Sequence, residues 1–254
     1  MDITKKQLAG MMDHTLLAAA ATPDRVEDAC REALQIGAAS VCVNPANVSM
    51  ASALLRGSGV KVCTVIGFPL GANTPETKAF ETRDAVSRGA QEVDMVINIG
   101  ALKAGLHDEV LNDIRSVVGA AGGAAVKVII ETCCLSDEEK VTACRLAAEA
   151  GADFVKTSTG FGTGGANPHD VALMKANIPK CMRVKASGGM RTWDDVRPNL
   201  EAGADRLGVS ASVAILESFE GWIGHGVSNG SRSWHAEREG HDYGRAWGGE
   251  RNRV

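Results

Sequence analysis

Eight short apolar runs, most of them rich in β-branched residues, punctuate the chain. They lie at Met11–His14, Ser40–Val43, Val60–Ile66, Val93–Ile97, Val126–Ile130, Phe154–Val155, Met182–Val184 and Leu207–Val209. Such nearly unbroken short runs are the pattern of parallel strands covered on both faces. The segments between them repeat apolar residues at helical spacing. In the first, Val26, Ala29, Cys30, Ala33, Leu34 and Gly37 share one face. Its start carries Thr22 as candidate N-cap with Pro23 at the first helical position, a device repeated at Thr74-Pro75 and Asn167-Pro168. Ser136-Asp137-Glu138-Glu139 has the form of a capping box. Helix ends are marked as well: Gly37-Ala38, Gly89-Ala90, Gly151-Ala152 and Gly203-Ala204 each place a glycine where a left-handed C′ residue is needed before a strand.

The strand ends fall about 28 residues apart, the length of one βα unit. Eight units fit before residue 220 or so. Regular βα alternation with right-handed crossovers closes into an eight-stranded barrel or opens into a doubly wound sheet. The count and the even spacing favour an α/β fold of the (β/α)8 TIM-barrel type, as a single domain over residues 1–220. Residues 221–254 break the pattern. They hold three of the four tryptophans and three of the six histidines, with many Gly and Arg, and show no apolar periodicity after Ile223. A poorly ordered tail is expected there, beginning where the eighth helix would still be short.

Composition narrows the function classes. The 254 residues carry a formal net charge of −4 and a pI near 5.9, which argues against a nucleic-acid or anionic-membrane surface. No apolar run approaches the ~18 residues of a membrane span, and the N-terminus lacks the apolar core of a signal peptide. Seven cysteines, an odd number without a Cys-x-x-Cys pair, make the zinc-site and disulfide-framework readings both weak, and a reducing cytoplasm fits best. Cys30, Cys42, Cys63, Cys144 and Cys181 read as small hydrophobes.

In a barrel of this type the chemistry collects at the C-terminal ends of the strands. There the sixth and seventh strands bring Lys156 and Lys185 into apolar surroundings and the fourth brings Asp94, while Lys127 stands earlier, on the fifth strand. A buried ammonium is costly unless it is paired or loses its proton, and neighbouring ammonium groups disfavour each other's charge. Two or three amines with a carboxylate to move protons suit covalent catalysis through a Schiff base. The competing reading is three unrelated lysines reaching water or bridging to carboxylates. A second component is glycine. Gly160–Gly165, Ser187-Gly188-Gly189 and Gly208-Val209-Ser210 follow strands six, seven and eight, the last two being the usual phosphate site of the fold. Gly160, Gly162 and Gly165 match G-x-G-x-x-G, but at the sixth strand and without a ribose-binding acid, which discounts a dinucleotide site. His14 beside Asp13 reads equally well as catalytic or structural.

Taken together, Asp13-His14-Thr15-Leu16-Leu17, Val65 to Gly71, Val93 to Gly100, Lys127 to Thr132, Val155 to Phe161 and Val184 to Gly189 closely resemble the deoxyribose-phosphate aldolases, in order, over roughly residues 8–218. The resemblance implies a metal-free and cofactor-free class I aldolase that reversibly cleaves 2-deoxy-D-ribose 5-phosphate to D-glyceraldehyde 3-phosphate and acetaldehyde. By motif, Lys156 would form the Schiff base, Lys185 lower its pKa, Asp94 donate and accept protons, and Lys127 support them. Gly160, Gly188, Gly189, Gly208 and Ser210 would hold the phosphate. The implied partners are small sugar phosphates and aldehydes, with a homo-oligomer expected. Two departures stand out. Ala18 replaces a frequent family lysine, and the only tyrosine, Tyr243, lies in the atypical tail rather than at the chain end. Two other readings remain: a Schiff-base aldolase for another sugar phosphate, and a silent phosphosugar-binding barrel.

Overall fold

A computed structural model describes residues 3–228. Eight parallel strands close in sequence order into a barrel: β1 (Met12–Leu16), β2 (Ser40–Val43), β3 (Lys61–Ile66), β4 (Glu92–Val96), β5 (Ala125–Ile129), β6 (Phe154–Lys156), β7 (Arg183–Ser187) and β8 (Arg206–Val209). β8 pairs back with β1 through Asp13 and Gly208. The expected (β/α)8 barrel is the fold, and the open sheet is excluded.

Helices surround the strands. α1 (Lys5–Ala9) precedes β1, and α2 (Pro23–Ile36), α3 (Val48–Leu54) and α4 (Pro75–Ser87) follow β1, β2 and β3. α5 (Ile99–Lys103) and α6 (His107–Ala120) come after β4, then α7 (Asp137–Glu149), α8 (Pro168–Ala176), α9 (Trp193–Glu201) and α10 (Ser212–Ser228). The local signals act as anticipated at most of these ends. Thr74 and Asn167 accept from the third backbone N–H of their helices, and Ser136 with Glu139 closes a capping box. Thr22 has the N-cap backbone conformation but makes no side-chain bond. Gly37, Gly89, Gly151 and Gly203 all have positive φ.

Two separate interiors result. The larger lies between strands and helices, where Val41, Val62, Val93, Met95, Val128, Val155, Val184 and Leu207 face the apolar helix stripes. Inside the barrel the apolar cluster is small: Leu17, Cys42, Cys63 and Val65, with Phe68 against it. The rest of that space is charged, whereas branched aliphatic residues normally fill it.

The last helix departs from expectation. It runs on to Ser228, through the boundary placed at 220, and joins an aromatic group in which Trp193 of α9 meets Phe219 at 4.7 Å and Trp222 at 5.7 Å. Lys5 of α1 pairs with Glu220 at 2.8 Å on the same helix. The part of the expected tail from residue 229 onward, Tyr243 included, lies outside the described residues.

Candidate active site

Strand register decides which side chains meet. Side chains alternate between the two faces of a strand, and paired residues of neighbouring strands point the same way. Lys156 pairs with Lys185, Lys185 with Arg206, Asp94 with Lys127, and Asp13 with Ser40 and Gly208. All point into the barrel. Only Lys156 ends its strand; Asp13, Asp94 and Lys185 are inner-strand residues, a layer lower than a strand-end reading puts them, and Lys127 is inner-strand as expected.

Asp94 is the hub. Its Oδ2 accepts from Lys156 Nζ and from Lys185 Nζ, each at 2.7 Å, and its Oδ1 from Lys127 Nζ at 2.8 Å and from the Cys63 thiol at 3.2 Å. The Lys156 and Lys185 nitrogens flank one oxygen, so they lie no farther apart than two hydrogen bonds. Asp13 forms a second node, taking Lys185 Nζ at 2.5 Å, Arg206 Nη1 at 2.6 Å and Ser40 Oγ at 2.6 Å. Glu92 completes the floor, with Lys127 Nζ at 2.6 Å and Arg206 Nη1 at 3.0 Å.

Burial alone would push each of these groups toward its neutral form. Here the partners outweigh it. Against desolvation, Lys185, Lys127 and Arg206 hold Asp13 below the usual carboxylate range. Lys127, Lys156 and Lys185 do the same for Asp94, and Lys127 with Arg206 for Glu92. In turn Asp94, Cys63, Asp13 and Glu92 raise Lys127, Asp13 and Asp94 raise Lys185, and Asp13 and Glu92 raise Arg206. Six groups are thereby held ionised, and their three negative and three positive charges cancel. Lys156 is the seventh side chain of the set and shares Asp94 Oδ2 with Lys185.

Other candidates fall away from this centre. His14 points outward, bonding Ser212 Oγ at 2.9 Å and Glu32 at 3.0 Å. Cys42 is fully buried inside the barrel, beside the hub rather than open to solvent. Cys42, Cys63 and Asp94, and likewise Asp13, Cys63 and Glu92, bring possible metal donors within 4.8 Å, but every carboxylate among them already bonds several cationic side chains.

Above the lysine layer a cavity of about 420 Å³ opens at the strand C-termini, with Lys156 at its base. Its wall includes Gly160, Gly188, Gly189, Gly208 and Ser210, all five glycine-loop residues singled out by sequence, with α10 beginning directly behind Ser210. Ala18 and Arg191 also line it, the latter a cation that sequence reading passed over. Phe161 meets Phe68 edge-on at 5.2 Å across the mouth. The loop holding Thr159 is tied down by Glu131. That non-glycine residue has φ of 54° and accepts from the Thr159 hydroxyl and backbone N–H. A left-handed conformation there costs about 1–2 kcal/mol, so those bonds must hold it.

Sequence reading also missed Glu92, Arg206 and Ser40 as members of the network. The available signal was period-two polarity: Glu92 and Asp94, Arg183 and Lys185, Arg206 and Gly208 alternate with apolar residues.

Comparison with known proteins gives a consistent picture. The family model described as DeoC/LacD family aldolase matches residues 8–236. A deoxyribose-phosphate aldolase of Clostridium perfringens (strain SM101) is 60% identical over 214 residues, covering 84% of this chain and 96% of the relative. The deoxyribose-phosphate aldolase of Lysinibacillus sphaericus is 60% identical over 216 residues, 85% and 97% of the two chains. Among solved structures, the tetrameric deoxyribose phosphate aldolase from Aeropyrum pernix superposes with a TM-score of 0.80 at 36% identity, over 86% of this chain and 93% of that one.

Proposed function

This chain belongs to the DeoC/LacD aldolase family, and we infer that it is a deoxyribose-phosphate aldolase, cleaving 2-deoxy-D-ribose 5-phosphate reversibly to D-glyceraldehyde 3-phosphate and acetaldehyde. One observation carries the assignment of roles: Asp94 Oδ2 lies between the nitrogens of Lys156 and Lys185 at 2.7 Å from each. Lys156, at the base of the cavity, adds as a neutral amine to the C1 aldehyde of the open-chain sugar, and water leaves to give the imine. Protonated, that imine draws the electrons of the C2–C3 bond as the C3 hydroxyl passes its proton to Asp94. Glyceraldehyde 3-phosphate departs, the enamine is protonated at C2, and hydrolysis releases acetaldehyde.

Lys185 stays charged between two carboxylates and disfavours a second ammonium beside it. Asp94, surrounded by three amines, is a weak base. It therefore holds a proton only in passing, taking it from the C3 hydroxyl and returning it at C2, while Lys127 holds its other oxygen. Gly160, Gly188, Gly189, Gly208 and Ser210 offer a concave wall of backbone N–H groups for the phosphate, with Arg191 as an added cation. A homo-oligomer is also proposed, supported by the tetramer of the Aeropyrum relative; light scattering on the eluted protein tests it. Seven free cysteines suit a reducing cytoplasm.

The deciding experiment treats the protein with acetaldehyde and borohydride and maps the reduced adduct by peptide mass. An adduct on Lys156, lost in Lys156→Ala, together with acetaldehyde release from deoxyribose 5-phosphate, is expected. Absence of the adduct, or its persistence in Lys156→Ala, removes the mechanism. Phosphate-ester binding without turnover would instead favour a silent barrel.

A further inference from the structure

Below the reacting amine lies a pair to which no role has been assigned. Arg206 and Glu92 sit at the starts of β8 and β4, on the barrel floor, where Arg206 bridges Glu92 and Asp13. Neither lines the cavity, and Glu92 is 1% exposed. We propose that Arg206 and Glu92 are positioning residues that fix the net charge of the barrel interior, and through it whether Lys156 carries a proton. This rests on the Schiff-base reading.

The argument is charge balance. Around Lys156 stand Asp94 on β4, Lys127 on β5, Lys185 on β7 and the thiols of Cys42 and Cys63 on β2 and β3. Glu131, committed to Thr159, and Arg191 at the cavity wall are the further charged groups on that side. Around Arg206 stand Asp13 and Glu92, with Lys185 as its strand partner. Arg183 shares the ring of Phe154 with it, at 4.0 Å against 5.4 Å for Arg206. Glu92 also touches Lys61, which is half exposed and screened by water. Within the dry interior the six ionised groups cancel only while Arg206 and Glu92 are both present. Without Arg206 the set becomes negative by one, and a proton on Lys156 restores neutrality. Without Glu92 it becomes positive by one, and that proton is further opposed. Neither residue reaches the substrate, so their influence passes through the field of the network.

Borohydride trapping of acetaldehyde, measured against pH, reads the neutral amine directly. At an effective dielectric of ~20, a unit charge about 10 Å away moves a midpoint by about one pH unit, a tenfold change in neutral amine below it, and a shift of that order is expected. Arg206→Met is expected to shift the midpoint upward and Glu92→Gln downward. The double variant, again balanced, should return to the wild-type midpoint although it has lost both side chains. Arg206→Lys, which alters shape and keeps charge, should stay there too. Circular dichroism and melting confirm that each variant is folded. Should Glu92→Gln be unfolded, the opposition of Arg206→Met and Arg206→Lys still decides. Shifts of the same sign in both singles, a double variant farther from wild type than either, or an Arg206→Lys midpoint matching Arg206→Met would overturn the proposal. A wild type that is never trapped overturns the Schiff-base reading and this inference with it, an outcome distinct from trapping whose pH profile ignores the floor.

Discussion

Gly208 offers a test of how finely Lys185 must be held. A Cβ placed on it would lie 2.9 Å from Lys185 Cε and 2.8 Å from the Cβ of Ser187. Ordinary carbon contacts begin near 3.5 Å, so Gly208→Ala must push the lysine away by about half an ångström. On its far side Lys185 meets Asp13 and Asp94 at 2.5 and 2.7 Å. Those carboxylates cannot follow it, because Arg206, Ser40, Lys127 and Lys156 hold them. At least one charge-assisted bond is stretched or lost, at about 1.5–3 kcal/mol. If that interaction matters to the reaction, kcat/KM should fall about 10- to 150-fold.

Stability should suffer less in proportion. Overpacking of this size costs about 1–3 kcal/mol, a fall in Tm of roughly 2–12 °C for a chain this long. Gly208 also lines the cavity proposed to take the phosphate, so lost turnover by itself does not separate the two roles. Acetaldehyde has no phosphate. Trapping it with borohydride therefore reports on the amines alone, and Gly208→Ala should be slowed there as well. A folded Gly208→Ala protein that is trapped at the wild-type rate, and weakened only in KM for deoxyribose 5-phosphate, would refute the claim that Gly208 makes room for Lys185.

Three further outcomes follow from the same geometry. Lys78, fully buried, donates to Asp113 at 2.6 Å and to the carbonyl of Val96 at 2.8 Å, so Lys78→Met strands a buried carboxylate and should cost about 3–5 kcal/mol in urea unfolding. Lys78→Met with Asp113→Leu should recover most of that loss, and failure to recover would mean the cost lay elsewhere. Asp13, Asp94 and Glu92 have depressed folded pKa values. Their stabilisation is therefore complete above the ordinary 3.8 and 4.5 of Asp and Glu, and is lost as pH falls through the folded values. Unfolding midpoints should be level near neutrality and decline on acidification below about pH 4.5, and an unchanged midpoint at pH 3 would contradict the assignment. Finally, dialysis against a strong chelator should leave cleavage undiminished, and activity restored only by added divalent ion would overturn a mechanism built on amines.

Much of this was legible in the chain because the outer core writes itself into sequence. Val41, Val93, Val155, Val184 and Leu207 face the helices and make each strand read as apolar, and eight such runs at even spacing leave few folds to choose from. The same strength concealed the floor. Marking each strand by its apolar run starts β4 at Val93 and β8 at Leu207, which trims away Glu92 and Arg206, the first residue of each strand. Lys156 and Lys185 survived the trimming because they follow their apolar residues, and so they read as strand ends. Alternation was present in Glu-Val-Asp-Met-Val and Arg-Val-Lys-Ala-Ser, but each is short enough to pass for a buried strand with a polar edge. What no local pattern carries is the closure. Asp13 meets Lys185 and Arg206 across 172 and 193 residues of chain, and only the pairing of β1 with β8 brings them together. The individual charges are therefore local facts, while their cancellation is a property of the closed barrel. That is why a Schiff-base lysine can be nominated from sequence, whereas the charge balance proposed to govern it has to be read from the register.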